Sequence, residues 1–308
     1  MPSLEEFVRA ELMEPVEPRV SAMAGAIAAR YPGAARAVLF YGSCLRERQL
    51  EGLMLDFYLI VSDYREAYGR SWMAPANRLI PPNVFPFEHD GLAAKYAVLS
   101  EADFHRLNGP ETSSVSVWAR FAQPSRLVWR ANDHAAETCV SAIARAAPTL
   151  LAAARPMVRA EVLDDPLDLW RQGFALTYGA ELRAERQGRA SSVVDAEPER
   201  YRRFTAPAAA ATGIGRVEEG RLLLSPLSEG ERRRGQARWR RMRRTGKALT
   251  VARLMKASGT FAGGIDYLAW KINRHAGTDI AVKPWQRRWP LLGALTLLPR
   301  LLRRGAIR

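Results

Sequence analysis

Two apolar runs on either side of a Gly-Ser pair constrain the fold of this 308-residue chain more than any other feature. They lie in AVLFYGSCLRERQLEGLMLDFYLIVSD, residues 37–63. Ala37–Tyr41 stops at Gly42-Ser43, and Leu53–Val61 resumes after a polar loop. Short apolar runs bounded by turn residues predict strands buried in a sheet. Helical spacing precedes them: Val20, Met23, Ala24, Ile27 and Ala28 recur on one face until Tyr31-Pro32-Gly33. Residues 64–79 can be helical as far as Pro81-Pro82, and Asn83–Glu88 with Leu92–Leu99 reads as a hairpin turned by Asp90-Gly91. Together these predict an α/β domain over residues 1–134. Residues 135–190 are rich in alanine and leucine and are divided by Pro148, Pro156 and Pro166, which predicts a mainly helical second domain, 135–230. Ala206–Gly215 is expected to be a linker or loop. Residues 231–308 form a basic third region.

Charge narrows the partners. The net charge is +14, and eleven Lys or Arg residues lie from Glu231 to Lys256 against the single acid Glu231. Such a field implies nucleic acid, a phosphate-rich substrate or acidic lipid. Two cysteines, Cys44 and Cys139, are too few for a disulfide framework, and the four histidines show no zinc spacing. A reducing compartment is expected. The acidic start, MPSLEEFVRAELMEPVEP, reads as a helix and lacks the features of a signal peptide.

The chemistry is concentrated in the first two strands. A strand ending in Gly-Ser exposes backbone N–H groups where small residues let a triphosphate approach, and the next strand delivers a carboxylate, Asp56, able to bind Mg²⁺ bridging the phosphates. This is the logic of the nucleotidyltransferase fold. Many such enzymes carry a second acid two residues on, where this chain has Tyr58. The alternative is a structural turn followed by a strand-capping aspartate.

The chain resembles the mitochondrial-type phosphatidate cytidylyltransferases, the translocator assembly and maintenance family. Tyr41, Gly42, Ser43, Asp56, Phe57 and Asp63 match its first segment. AAKYAVLSEADF is similar at Lys95, Tyr96 and Ser100, with Ala97 for a glycine. WARFAQP matches at Arg120 and Pro124, with Gln123 for a lysine. LTYGAELRAE matches at Tyr178 and Arg183, and LMKASGTFAGG at Phe261 and Gly263, with Lys256 beside them. The resemblance implies a nucleotidyltransferase-fold mixed sheet followed by a helical domain and a basic, amphipathic tail. It also implies CTP and phosphatidate as substrates and Mg²⁺ as cofactor. Asp56, Lys95 and Arg120 are the expected catalytic residues, and Tyr41, Gly42 and Ser43 the nucleotide-binding ones. Tyr178, Arg183 and Lys256 are expected at lipid or phosphate.

A second metal ligand is sought in the hairpin. If Asp90-Gly91 is a two-residue turn, His89 pairs with Leu92 and Pro86 with Lys95, which puts Glu88 on the face of Lys95 and toward the metal at Asp56. An exposed acid at the hairpin tip is the equal alternative. Asp63 is the fallback, although it also suits a helix cap. In the tail, WQRRWPLLGALTLLPRLLRR, the apolar run from Trp289 to Pro299 is too short to span a bilayer and has interfacial composition. The expected partner is an anionic membrane surface, met peripherally from the cytoplasmic side. Nucleic acid is disfavoured, but an RNA-directed nucleotidyltransferase, with Trp239 among the arginines, remains open. So does an inactive scaffold.

Overall fold

The computed structural model describes residues 2–47, 50, 52–180, 193–260, 266, 269 and 281–288. Helices α1 (Leu4–Leu12) and α2 (Pro18–Ala29) lead into β1 (Ala35–Tyr41), a five-residue helix α3 (Ser43–Glu47) and β2 (Met54–Val61). Helices α4 (Tyr64–Tyr68) and α5 (Met73–Leu79) precede the hairpin β3 (Asn83–His89) and β4 (Leu92–Ser100). Then come α6 (Glu101–Asn108), α7 (Trp118–Phe121) and β5 (Ser125–Arg130). The five strands form one mixed sheet in the order β3-β4-β2-β1-β5, with β2 and β4 parallel and the other neighbours antiparallel. The α/β expectation for this part of the chain holds.

The sheet is covered on both faces, which is why its central strands read as nearly unbroken apolar runs. One face carries Val38, Phe40, Leu55, Phe57, Leu59 and Val98 against Val20, Met23, Ala24 and Ile27 of α2. The other carries Ala37, Leu39, Tyr58, Ile60, Ala97 and Leu99 against Phe104, Trp118 and Phe121. The hairpin register is the predicted one. His89 pairs with Leu92 and Pro86 with Lys95, and both turn residues have positive φ (Asp90 47°, Gly91 73°), as a tight turn between right-twisted strands requires.

The second core continues into α8 (Asp133–Ala144), α9 (Ala146–Ala154) and α10 (Leu167–Ala180), with the strand β6 (Val162–Leu163) before α10. Pro156 and Pro166 fall between α9 and α10 as expected, whereas Pro148 lies in the first turn of α9, after a break at Arg145. The expected linker at 206–215 is corrected. Residues 206–212 are the last turns of α11 (Pro198–Thr212), which runs through Pro207 and ends on Gly213 in the left-handed conformation. Its alanines, the strongest helix formers, and the burial of Ala208 and Ala209 outweigh the proline. Strands β7 (Gly215–Glu218) and β8 (Arg221–Leu224) then join β6 in a small sheet of order β6-β8-β7.

The basic stretch is one helix, α12 (Glu229–Thr260), 32 residues long. It lies against α10 and β3. At the crossing, a Cβ added to Gly246 would stand 2.2 Å from the Ala180 carbonyl oxygen, so only glycine permits this approach. A short helix α13 (Pro284–Arg288) follows. No described helix is long and apolar enough to cross a membrane. Arg183, Phe261, Gly263 and the tail from Trp289 lie outside the described residues.

Candidate functional site

The register of the sheet sets one row of residues at the same level: Pro86 on β3, Lys95 on β4, Asp56 on β2, Tyr41 on β1 and Ser125 on β5. Directly paired residues project to the same face. Asp56 is therefore flanked by Tyr41 on one side and Lys95 on the other. The Lys95 ammonium lies 3.0 Å from Asp56 Oδ1, with the two side chains 37% and 20% exposed, so the pair is reachable from solvent.

Gly42 follows Tyr41 with φ +98°, a conformation that L side chains rarely adopt. A Cβ there would meet Asp56 Oδ2 at 3.0 Å. The turn thus brings bare backbone against the carboxylate, and Ser43 opens α3 immediately after it. Tyr41 is held from above: its ring lies 5.2 Å from Tyr58 and 6.1 Å from Phe121, and those two rings lie 5.1 Å apart. The lack of an acid two residues after Asp56 now has a physical reason. Tyr58 is 2% exposed and fills the core beneath Phe121, where a carboxylate would be stripped of water.

The other expected site residues are scattered. Arg120 is on α7, the helix whose Phe121 covers the row, and its guanidinium donates to the Ser116 carbonyl. Gln123, in the place of the expected lysine, donates from its amide to the Ala119 carbonyl at 2.8 Å. Glu88 does share the face of Lys95, but the structure does not bring it beside Asp56. It pairs with Ala93, which pairs with Met54, so it sits two strands and two residues away and is exposed. Two strand spacings alone amount to about 10 Å. Asp63 is the N-cap of α4, accepting from the amides of Arg65 at 2.5 Å and Glu66 at 3.1 Å. Tyr178 is half-buried on α10 against the second core.

Lys256 is buried, and its ammonium donates to the carbonyls of Ile80 and Pro82. Burial, with Arg253 as a second cause, pulls its pKa down to about 7. Cys44 and Cys139 are both buried thiols outside any disulfide, and burial pushes the Cys139 thiol up to about 12, which makes it a core residue and no nucleophile.

Ser125 is the member of the row that sequence reasoning missed. Its only signal was its place directly after Pro124, and its pairing with Tyr41 across β1 and β5 is a tertiary fact.

Among the described residues no group of three or more His, Cys, Asp or Glu could hold a metal ion. The donor set at the row is one carboxylate, which fits Mg²⁺ in its usual manner of binding through one or two carboxylates and substrate phosphates, and does not fit a cation caged by protein alone.

No family model and no curated protein matches the chain. Among solved structures, the chain is similar to a nucleotidyltransferase-like protein from Exiguobacterium sibiricum 255-15, at 12% identity over 94% of this chain and 93% of that one. The TM-score is 0.29, a superposition too loose to support any argument about fold or activity.

Proposed function

We propose that the chain is a nucleotidyltransferase that transfers CMP from CTP to phosphatidate, giving CDP-diacylglycerol and pyrophosphate. One observation carries the reading: the turn at Gly42, at φ +98°, runs so close to the Asp56 carboxylate that an added Cβ would stand 3.0 Å from Oδ2, and Lys95 is paired to the same carboxylate. A polyphosphate needs this combination of close backbone approach, a metal-binding oxygen and a cation. The choice of CTP and phosphatidate rests on the sequence resemblance.

In this reading Gly42 and Ser43 receive the phosphates. Asp56 holds Mg²⁺, which when bound neutralises charge on the triphosphate. Lys95, 3.0 Å from Asp56 Oδ1, would offset charge on the transferring phosphoryl group. Arg120 offsets charge on the acceptor. The phosphatidate monoester is already an anion, so its oxygen attacks the α-phosphorus without an enzymic base. The bond from that phosphorus to the β-bridging oxygen breaks, and pyrophosphate leaves with the electron pair. Positioning and charge neutralisation then supply the rate enhancement.

The test is incubation of the purified protein with CTP labelled on the α-phosphorus, Mg²⁺ and phosphatidate-containing vesicles. A labelled lipid and stoichiometric pyrophosphate are expected. Label appearing in RNA and not in lipid would replace phosphatidate with another acceptor, and no pyrophosphate from any nucleotide would remove the transferase assignment.

A further inference from the structure

The eleven cations from Arg232 to Lys256 divide into two sets once α12 is placed. Four are tied to main-chain carbonyls. Arg232 donates to Val158 at 2.8 Å, Arg238 to Pro110 at 2.7 Å, Arg253 to Pro81 at 2.7 Å, and Lys256 to Ile80 and Pro82. The other seven, Arg233, Arg234, Arg240, Arg241, Arg243, Arg244 and Lys247, are exposed, and none forms a salt bridge with a described residue.

Helical geometry puts these seven on one side. At about 100° per residue, Arg233, Arg240, Arg244 and Lys247 fall within an arc of about 60°, with Arg234 and Arg241 on one flank and Arg243 on the other. Trp239 and Met242 point the opposite way, into the core, at 2% and 1% exposure. From Arg233 to Lys247 the row is about 21 Å long at 1.5 Å per residue. The exposed positions among them are Ala237 and Ala248, and no acid interrupts the face. Like charges at this density repel one another, so the arrangement costs stability unless an external anion offsets it.

We infer that this face of α12 docks on an anionic lipid bilayer. A straight row of cations along one side of a helix can meet a planar array of phosphates all at once when the helix axis lies parallel to the surface. Among the described residues the face carries no aromatic ring to stack on a base. Trp239, the aromatic within this stretch of α12, is turned inward and donates to the Ala153 carbonyl at 2.7 Å, so it offers no stacking platform of the kind that single-stranded nucleic acid uses. The chain after α12 has matching chemistry: Trp285 is 44% exposed, and the sequence from it is rich in tryptophan, leucine and arginine. The inference goes beyond the proposed transfer, because it needs no nucleotide and no catalytic residue.

The test is flotation of the full chain with vesicles of phosphatidylcholine, with and without phosphatidylglycerol, in the absence of CTP. Each cation near an anionic surface multiplies the partition coefficient by roughly fivefold. Replacing the central stripe (Arg233→Gln, Arg240→Gln, Arg244→Gln, Lys247→Gln) should therefore abolish most of the gain from phosphatidylglycerol, roughly 10²-fold or more. These positions are solvated and their charges repel one another, so the melting temperature should not fall. The same four sites with lysine at the three arginines should retain binding, since a bilayer reads charge and not guanidinium shape. Equal binding of the glutamine variant and the wild type to anionic vesicles would overturn the inference. So would an affinity for duplex or single-stranded RNA that displaces the vesicles. Transfer to a soluble short-chain phosphatidate should survive in the glutamine variant, which separates failure of docking from failure of the proposed chemistry.

Discussion

Lys95 and Arg240 are both cations of one chain, and the fold uses them in opposite ways. Lys95 stands in the third register pair of β2 and β4, 3.0 Å from Asp56, and its partner is set by backbone hydrogen bonding that no side chain can alter. Arg240 stands on the outer side of α12, held only at its stem, with like charges as its neighbours. The same contrast runs through the molecule. Glu11 and Arg200 form a buried pair between α1 and α11, and Arg200 also donates to the Ala122 carbonyl at 3.0 Å, beside the start of β5. A charge whose partners are fixed by the fold acts through those few contacts, so single substitutions there have large effects. A solvated face acts through a sum, so single substitutions there have small ones.

The largest effect should come from Asp56→Asn. It keeps the shape of the side chain and removes the charge, and we expect turnover to fall roughly 10²–10³-fold, the loss typical of one preorganised electrostatic group. The urea midpoint should change little, because the carboxylate is partly solvated. Single replacements such as Arg240→Gln should leave turnover with a soluble acceptor unchanged. Full activity in Asp56→Asn would break the comparison at its first term.

Next in size is Glu11→Gln. It leaves the Arg200 guanidinium buried without its counter-charge. Burial works against the Arg200 charge, and Glu11 outweighs it, holding the group above its ordinary pKa. Removing one partner of such a pair costs about 3–5 kcal/mol, read by denaturant unfolding. A loss below that of an ordinary surface substitution would show that the pair is not embedded as described.

Gly42→Ala should be smaller in stability and still large in function. The positive φ and the 3.0 Å approach to Asp56 Oδ2 together predict a loss of about 2 kcal/mol and a displaced carboxylate. CTP affinity by calorimetry should drop with it. A variant that binds CTP as the wild type does would detach the turn from the site.

How much of this could be read from the sequence depended on the range of the interaction. Local chemistry sufficed for the strands around Gly42, for the Asp63 cap and for the hairpin, whose Asp90-Gly91 turn dictated the pairing of Pro86 with Lys95. It even placed Glu88 on the correct face. It could not place Glu88 in distance, because the insertion of β4 beside β2, in parallel, is a sheet-level choice invisible to the hairpin. Ser125 joined the row for the same reason, through a pairing with Tyr41 across 84 positions of sequence. The helix at 206–212 was hidden by Pro207, whose local preference was overruled by the burial of Ala208 and Ala209. The basic stretch was legible as charge but not as two sets of cations, since which of them turn inward is decided by where the carbonyls of Ile80, Pro81, Pro82, Pro110 and Val158 lie against α12.

The last expected effect concerns Lys256, an α12 cation that belongs with the embedded set. Its pKa of about 7 in the folded protein compares with an ordinary 10.5, burial being the main cause and Arg253 the second. The sign follows from proton counting. Between about pH 7 and 10 the unfolded chain binds more protons at this amine than the folded chain does, so stability gains from rising pH, by at most about 1.4 kcal/mol per unit. Below pH 7 both states are charged, the slope vanishes and the full cost of burying the ammonium is present. Lys256→Met removes the titration along with the hydrogen bonds to Ile80 and Pro82. The difference in unfolding free energy between wild type and variant should therefore be flat below about pH 7 and shift in favour of the wild type from there to about pH 9. Denaturant unfolding at each pH measures it. A difference that stays constant across the range would mean that the amine keeps its proton as an exposed lysine does, and Lys256 would then belong with the outer face of α12 and not with the core.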